Sequence, residues 1–340
     1  MRVRSGDVAA TVAAGLLFAA AGAAEAQVNP RDVPIVTQPQ QRFDSGQDIQ
    51  PIFEGWTRNE DGSFLLHFGY LNRNYREQPH MPIGESNHFS PGPEDRGQPT
   101  HFYPRTQRYQ FTVHVPPDMG RSSEDGLVWT LTRYGSEQRA VGWLQPEWEI
   151  DANTITSNNR TGFGRPKDQV YANRPPEVTA SASAATARVG EPVTLTASIT
   201  DDELPTELPP RRPRSRLPAL TPPEGTPRVP DNVPWYRKPA PPRNGLGLLW
   251  VVYRGSADVN FEPSGYQRSV SEVQQDEEVD GLVTRSAQSG PEATHTAGDG
   301  WTSATFEATV TFDEPGTYTL RAWASDGMLV VPDDVTITVE

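Results

Sequence analysis

Five of the six histidines lie within residues 67–114, where their imidazole nitrogens could bind a transition metal. They are His67, His80, His88, His101 and His114. Consecutive members are 13, 8, 13 and 13 residues apart, whereas compact zinc motifs leave about three to five residues between histidines. Only strands that bring distant residues together could assemble a metal site, and His67 and His114 are both predicted on outward strand faces. Isolated polar histidines are therefore the main interpretation, and metal binding is an alternative hypothesis.

Two glutamates, Glu147 and Glu149, stand beside tryptophans in the segment "QPEWEI". Glycoside hydrolysis needs two carboxyl groups a few ångströms apart, one protonated and one ionised. The segment therefore supports the hypothesis of a polysaccharide-active enzyme. Core tryptophan that alternates with surface acid is also typical of a terminal strand in a β-sandwich, and we favour this second interpretation.

Three aspartates, Asp201, Asp202 and Asp326, follow the ends of predicted strands. Carboxylate oxygens are the ligands that calcium prefers, so a calcium site is one hypothesis for this group. The alternative is that "SDG" around Asp326 forms a simple turn, because aspartate often bonds its own backbone in turns. The sequence indicates no other cofactor.

Several common chemistries have no motif in this chain. It has no cysteine, which excludes disulfides, thiolate metal sites and a thiol nucleophile. It also has no G-x-S-x-G nucleophile elbow, P-loop or dinucleotide-binding fingerprint. The net charge of −14 opposes binding to nucleic acid or to an anionic membrane.

The N-terminus has the order of a secretory signal peptide. "MRVRSGD" carries two arginines, an alanine-rich apolar run follows, and Ala24 and Ala26 form an A-x-A site. The sequence predicts cleavage after Ala26 and a periplasmic or secreted protein. No later segment approaches the roughly 20 apolar residues of a membrane span. Residues 27–45 are predicted to form an extended lead-in.

Residues 46–150 predict a first β-sandwich, because apolar and polar residues alternate in several short runs. Asp61-Gly62 predicts a tight turn that joins a strand at Phe53–Trp56 to one at Ser63–Leu71. In the second of these strands the residues predicted to face the core are Phe64, Leu66, Phe68 and Tyr70. In "QRYQFTVHVP", Tyr109 is predicted to point inward and Gln110 outward.

A stretch of more than 30 residues, 72–106, separates two of these strands. Loops of this length are uncommon and often functional when they are ordered. This one is rich in tyrosine, phenylalanine, histidine and arginine, which are adaptable recognition residues. The candidate ligand-binding residues are Tyr75, Arg76, His88, Phe89, His101 and Tyr103.

A polar linker, 151–175, leads to a second predicted sandwich at 176–340, and helices are expected to be scarce throughout. "GLLWVVYRG" is apolar on both faces and predicts a central strand. Glu314-Pro315-Gly316 predicts a turn between two later strands. A proline- and arginine-rich insertion at 203–245 is predicted to be extended or disordered, because residues 204–244 contain 13 prolines and carry a net charge of +5.

The second domain resembles the C-terminal PKD-like or cadherin-like immunoglobulin-fold domains of secreted bacterial proteins. The residues that carry the resemblance are "PPEVTASAS", "VGEPVTLTASITDD", "PGTYTLRAWASDG" and "VTITV", within 177–201 and 246–340. Tyr318 stands where such folds place a tyrosine corner. The resemblance implies a fold and an exported location, and it implies no reaction.

The sequence therefore predicts an all-β protein of two tandem immunoglobulin-like β-sandwiches, the second PKD-like with a long insertion. The leading functional hypothesis is a non-catalytic binding or structural module at or outside the cell envelope. Its expected partner is an extracellular or envelope ligand, either a polysaccharide or a protein, and neither nucleic acid nor membrane.

Overall fold

The computed structural model describes residues 43–159, 161, 165–208, 241–242, 244–256, 259–270, 278–279, 282–283 and 293–340. The predicted signal peptide, most of the lead-in and most of the insertion lie outside the described residues. Within the described residues, no helix is both long and apolar enough to cross a membrane.

Strands are the main regular structure of the described chain and helices are few, as predicted. In the first half the strands are β1 (Ile49–Arg58), β2 (Phe64–Asn72), β3 (Asn87–Ser90), β4 (Arg105–Val115), β5 (Leu127–Arg133) and β6 (Ser136–Gly142). Two short helices follow, α1 (Ala152–Asn159) and α2 (Lys167–Ala172). In the second half the strands are β7 (Glu177–Ala182), β8 (Thr186–Ala187), β9 (Val193–Thr200), β10 (Gly247–Arg254), β11 (Val259–Glu262), β12 (Gln267–Arg268), β13 (Glu278–Val279), β14 (Leu282–Val283), β15 (Ser303–Phe312), β16 (Gly316–Ser325) and β17 (Val330–Val339).

The first sandwich consists of two three-stranded sheets, β1-β2-β4 and β3-β5-β6. This is the A-B-E and C-F-G arrangement of an immunoglobulin sandwich that lacks strand D. The predicted hairpin is confirmed, since β1 and β2 are antiparallel neighbours. Between the sheets, the rings of Phe68, Phe89, Phe111 and Trp129 contact one another with centroids 5.1–6.1 Å apart. This aromatic core replaces the disulfide that the sequence cannot form.

Strand β4 contains a bulge that the alternation of the sequence does not show. Phe68 pairs with Phe111 and Tyr70 with Gln107, so three residues of β4 stand opposite the single Gly69. A Cβ atom at Gly69 would lie 2.5 Å from the Gln107 carbonyl oxygen, which restricts this position to glycine. The bulge places Tyr109 at φ +50°, a strained conformation for a non-glycine residue. The predicted facing is therefore wrong here, because Gln110 is buried and Tyr109 is only half-buried.

The second sandwich has the strand order of an immunoglobulin domain. Its sheets are β8-β17-β16-β10-β12 and β11-β15-β9-β7, which correspond to A′-G-F-C-C′ and D-E-B-A. The short β8 pairs parallel with the last strand, as an A′ strand does. The immunoglobulin-like architecture is thus confirmed by topology for both halves, while the narrower PKD-like resemblance remains a prediction.

Two local predictions in this sandwich are confirmed. The Tyr318 hydroxyl donates a hydrogen bond of 2.9 Å to the Glu314 carbonyl at the β15–β16 turn, which is the geometry of a tyrosine corner. Strand β10 lies between β12 and β16, and it is buried on both faces. Its inner face packs in the core of the second sandwich, so another part of the chain must cover its outer face.

The connector between the sandwiches contains both helices, whereas the sequence predicted only a polar linker. Asp151 caps α1, because its Oδ1 accepts a hydrogen bond of 2.7 Å from the Thr154 backbone amide. From this connector the Asn158 amide donates to the Tyr109 hydroxyl at 2.7 Å, and the Thr161 hydroxyl donates to the Met328 carbonyl at 2.7 Å. The connector therefore contacts both sandwiches.

Candidate functional site

The long segment between β2 and β4 lies against the outer face of the second sandwich. The backbone amides of Thr100 and His101 both donate to the Tyr253 carbonyl, at 3.2 and 3.3 Å. The Gly255 amide donates to the Thr100 hydroxyl at 3.2 Å. The segment is also held by its own backbone, since the Met81 amide donates to the Thr100 carbonyl at 2.8 Å. We call the contact region between the two sandwiches the joint.

Two tyrosines cross the joint in opposite directions. Tyr103 of the first sandwich packs in a buried cluster with Leu249, Val251 and Trp323 of the second. Its hydroxyl accepts a hydrogen bond of 2.8 Å from the Val252 amide. Tyr253 in turn packs in the core cluster of the first sandwich. This exchange explains why β10 is apolar on both faces.

Tyr253 also has a polar role in the joint, since its hydroxyl donates to the Gly97 carbonyl at 2.5 Å. Burial raises the pKa of Tyr253 to about 12, against the opposing effect of the nearby Arg321 charge. The phenol is therefore neutral at physiological pH and acts as a hydrogen-bond donor. It has no role as a proton acceptor there.

Two arginines add ion pairs to the joint. Arg254 binds Asp95 through both terminal nitrogens, at 2.9 and 2.7 Å. Arg321 binds Asp334 through Nε and Nη2, at 2.7 and 2.8 Å. Neither arginine is among the candidate functional residues that the sequence predicts.

Arg321 is the more buried of the two arginines, and it makes contacts on both sides of the joint. Its remaining terminal nitrogen donates to the Gln110 carbonyl of the first sandwich at 2.6 Å. Its guanidinium carbon lies 3.3 Å from the centroid of the Tyr253 ring. The side chain is only 8 % exposed, so water screens these interactions weakly.

A small cavity lies within the joint. Its lining includes His101, Tyr103, Gln107, Gln110 and Tyr253. The cavity measures about 20 Å³, which is room for roughly one water molecule and far less than a sugar ring or a side chain would need. The joint therefore forms a closed contact between sandwiches and offers no ligand pocket at this place.

The structure divides the predicted ligand-binding residues between buried and exposed positions. Phe89, His101 and Tyr103 are at most 6 % exposed and lie inside the core or the joint. They are not available on a contact surface, which corrects the expectation for these three. The physical reason is that the aromatic residues of the segment serve packing between the sandwiches.

The other three predicted ligand-binding residues have partners near the surface. The Tyr75 ring lies under the Arg105 guanidinium at 4.2 Å. Arg76 is exposed and lies 3.5 Å from Asp44. His88 Nδ1 lies 3.1 Å from the Gly84 carbonyl oxygen. Ligand binding by these residues remains a prediction.

The histidines do not assemble a metal centre in the described part of the chain. No group of three or more histidine, aspartate or glutamate residues in the described ranges could hold a metal ion. His67 Nε2 lies 3.0 Å from the Thr57 hydroxyl, and His114 Nε2 lies 2.9 Å from the Ser63 hydroxyl. Each of these two histidines is therefore engaged by a hydroxyl group of its own neighbourhood.

His67 is buried, although its strand face was predicted to be outward and polar. The Tyr109 ring, which the β4 bulge places on that face, contacts the imidazole edge-on at a centroid separation of 6.1 Å. Burial lowers the pKa of His67 to about 4, so it is neutral at pH 7. The bulge in β4 thus changes the facing of Tyr109 on its own strand and also helps to bury His67 on the neighbouring β2.

The aspartates at the strand ends lie near one another, but they do not fit calcium. Both oxygens of the buried Asp326 already accept hydrogen bonds, of 2.6–2.7 Å, from the Met328 and Leu329 amides and from the Asn173 side chain. Asp202 accepts a hydrogen bond of 3.0 Å from the Leu204 amide. Calcium needs about six to eight oxygen ligands, and this set leaves few of them free. The turn interpretation of "SDG" is the one that the geometry supports.

The carboxyl groups of Asp201 and Asp326 both have raised pKa values, and the charge of Asp326 contributes to the shift at Asp201. Burial raises the pKa of Asp326 to about 6. Burial, and then the charge of Asp326, raises the pKa of Asp201 to about 7. Asp201 Oδ1 is buried without a hydrogen-bond partner within the described residues. Two neighbouring carboxyl groups of this kind cannot both ionise without cost.

We expect Asp201→Asn to stabilise the protein at pH 8, by on the order of 1–2 kcal/mol after allowance for its partial exposure. Because its folded pKa is raised, the carboxyl contributes stability below about pH 4 and loses it as the pH rises through about 7. The stabilisation by asparagine should therefore disappear at pH 4. Urea unfolding at the two pH values measures this, with Asp118→Asn, at an exposed aspartate of the first sandwich, as the control. A variant that is less stable than the wild type at pH 8 would contradict the prediction.

Glu147 and Glu149 do not form a buried acid pair. They lie in and just after a 3₁₀ turn, Pro146–Trp148, and both side chains are exposed. Glu149 Oε1 lies 3.5 Å from the Arg58 guanidinium. A catalytic acid pair works in a site that excludes water, and both of these positions are exposed. The geometry therefore gives no support to the hypothesis of a polysaccharide-active enzyme based on these two residues.

The comparisons with known proteins identify no family. No protein-family model matches the chain, and no curated protein is significantly similar to it. Among solved structures it aligns with the D0-D1 domain of Intimin at a TM-score of 0.22 and 9 % identity, covering 85 % of this chain and 97 % of that one. The D00-D0 domain of Intimin aligns at 0.21 and 10 %, with 86 % and 100 % covered. Domains 4 and 5 of the S-layer protein SbsC align at 0.18 and 8 %, with 86 % and 98 % covered. Similarities this low assign neither a family nor a function.

Proposed function

We propose that the protein is an exported, non-catalytic binding or structural module that acts at or outside the cell envelope. Within this proposal its two sandwiches work as one rigid unit, and the second is a PKD-like domain. The observation that carries the proposal is the joint. It uses the loop between β3 and β4 of the first sandwich, residues 91–104, to hold the second in a fixed orientation.

The joint supports rigidity because its contacts differ in kind and are buried together. Tyr103 and Tyr253 are exchanged between the sandwiches, and each is less than 10 % exposed. Arg321 connects the Asp334 carboxylate to a carbonyl of the first sandwich. A flexible linker would leave such groups in water, and separating the sandwiches would expose aromatic surface and leave the Gln110 carbonyl without the Arg321 guanidinium.

The non-catalytic part of the proposal is supported by where the candidate acid and base residues lie. His67 and His101 are buried, and the two glutamates of "QPEWEI" are exposed. A catalytic pair needs both members to face one reacting position. Export is supported by the signal-peptide pattern of residues 1–26, which lies outside the described residues.

The proposal is tested by spin labels on the exported protein. The chain has no cysteine, so cysteines placed at two sites are the only labelling positions. The full chain with Glu60→Cys and Glu307→Cys is expressed in a bacterial host and collected from the periplasm or medium. We expect a chain that begins at Gln27 and one narrow distribution of distances between the labels, measured by double electron–electron resonance.

The matched control for the spin-label experiment carries both labels in the first sandwich, at Glu60→Cys and Glu137→Cys. If the two sandwiches form one rigid unit, the labels at positions 60 and 307 should give a distance distribution as narrow as that of this control pair. A much broader distribution for the pair across the joint would refute the rigid unit. Retention of the unprocessed chain in the cytoplasm would refute export.

A further inference from the structure

Trp148 is a large apolar side chain that the fold holds at the surface. Its indole is 42 % exposed, although the surrounding core buries most other aromatic residues. One face of the indole stacks on the Phe53 ring, with centroids 5.4 Å apart and planes 2° from parallel. Because Phe53 covers one face, the exposure of Trp148 arises mainly from the opposite face and the ring edge.

The backbone around Trp148 is fixed in several ways. The Ile150 amide donates to the Trp56 carbonyl at 2.9 Å, and the Trp56 indole nitrogen donates to the Gln145 carbonyl at 2.7 Å. The segment also packs tightly on β1, since a Cβ atom at Gly55 would lie 2.8 Å from the Trp148 carbonyl oxygen. Little conformational entropy is therefore left to lose when a ligand contacts the indole.

Exposed polar side chains flank this indole along the chain and on the neighbouring strand. Glu147 and Glu149 precede and follow it directly, and both are exposed. Arg58 lies 3.5 Å from Glu149, and the two side chains are 48 % and 46 % exposed. A carboxylate accepts a hydrogen bond from a hydroxyl group, and a guanidinium group donates one to it. Together these side chains can therefore use a sugar hydroxyl as donor and as acceptor.

This combination fits the chemistry of a sugar ring. A pyranose with equatorial hydroxyl groups presents polarised C–H bonds on its faces, which pack on an electron-rich aromatic face. Its hydroxyl groups radiate from the ring edge, where the flanking charged residues would meet them. The net charge of the chain, −14, opposes an acidic polysaccharide and favours a neutral one.

We propose that the exposed face of Trp148 binds the C–H face of a neutral, equatorially substituted pyranose in a polysaccharide, with Glu147, Glu149 and Arg58 as hydroxyl contacts. The inference rests on the proposed binding function and narrows it by naming the class of ligand. It also gives Glu147 and Glu149 a role that needs no buried acid. Contact with a single indole makes weak binding the expectation, with a Kd in the range of about 0.1–1 mM.

The test titrates the mature full chain with cellohexaose and with the hexamer of N-acetylglucosamine, and follows heat and tryptophan fluorescence. We expect at least one of these neutral oligosaccharides to bind more tightly than a hyaluronan hexamer, which carries carboxylates. Trp148→Ala should weaken binding about ten-fold or more, as for a central aromatic anchor. Trp148→Phe keeps a ring on Phe53 and should retain part of the affinity.

The matched control is Tyr171→Ala, which removes an aromatic side chain that is 72 % exposed on α2. This variant should bind like the wild type, and thermal melting shows that each variant is folded. No binding of either neutral hexamer to the wild type would overturn the inference, as would unchanged binding by folded Trp148→Ala and Trp148→Phe. Either result would leave export and the rigid joint intact, because the spin-label experiment tests those separately.

Discussion

Arg321→Ala is expected to lower the free energy of unfolding by about 2–3 kcal/mol, because a buried guanidinium loses its charge-assisted hydrogen bonds, while Asp334 is 36 % exposed and water can solvate the carboxylate left behind. The variant loses both hydrogen bonds to Asp334, the bond to the Gln110 carbonyl and the contact with the Tyr253 ring. It also leaves the Asp334 carboxylate without this partner. Urea unfolding at pH 7 measures the change.

The matched control for Arg321 is Arg139→Ala, at an arginine of β6 that also pairs with a carboxylate, that of Glu137 on the same strand. Its side chain is 63 % exposed and its partner Glu137 is 46 % exposed. Exposed pairs contribute about 1 kcal/mol or less, so this variant should be close to the wild type. If both variants lost similar small amounts, the joint would not depend on Arg321. Labelled at Glu60 and Glu307, the Arg321 variant should also give a broader distance distribution.

His101→Gln is expected to make the protein more resistant to acid, because the imidazole is buried in the joint. Its pKa is lowered to about 4 by burial and by the charge of His80 opposite it. Its Nε2 lies 3.0 Å from the Gln78 amide oxygen, and its ring is 4.9 Å from that of Tyr103. No described carboxylate is recorded as a hydrogen-bond or ion-pair partner of this ring.

The direction of the acid effect follows from the lowered pKa. Between about pH 6.5 and 4 the unfolded chain binds a proton at His101 that the folded chain does not, so stability falls as the pH falls. A shift of this size corresponds to about 3 kcal/mol. We therefore expect the loss of unfolding free energy from pH 7 to pH 4.5 to be about 2–3 kcal/mol smaller in His101→Gln than in the wild type.

Comparison with the wild type removes the contributions of the other groups that titrate in this range. Asp201 and Asp326 act in the opposite direction, and they are present in both proteins. His114→Gln serves as the control, because its side chain is exposed on β4 and lies outside the joint. Equal pH dependence in wild type and His101→Gln would show that this imidazole is accessible to protons in the folded protein.

Much of the fold could be predicted from the sequence because it depends on local patterns. Alternation in β2 predicts Phe64, Leu66, Phe68 and Tyr70 as core residues, and all four are buried. The corner at Tyr318 was readable from the Pro-Gly turn before it. Each of these signals lies within about ten residues, the range over which backbone period and turn chemistry operate.

The β4 bulge shows why other features were not readable. Tyr109 and Gln110 continue a regular alternation, yet the strand inserts extra residues opposite Gly69. The cause is the partner strand, whose glycine leaves room for the Gln107 carbonyl and the Glu54 side chain. A pattern within one strand carries no information about the space that a neighbouring strand leaves.

The joint was predictable only in part. The two apolar faces of "GLLWVVYRG" indicated that something covers β10 on both sides, but not which segment does so. The aromatic and histidine residues of 72–106 predict a ligand surface in the sequence, since recognition and packing use the same residue types. Arg321 carried one weak signal, since it is the only charged residue of β16.

By itself, the sequence determined a cysteine-free all-β chain and the positions of most strands, because composition, period and turns act locally, and it predicts export. The tertiary structure decided which residues are accessible. It placed His101, Tyr103 and Tyr253 inside a joint, engaged Asp326 with backbone amides and left Trp148 at the surface. Burial depends on which surfaces meet across more than a hundred residues of chain, and that is set by the packing of the two sandwiches.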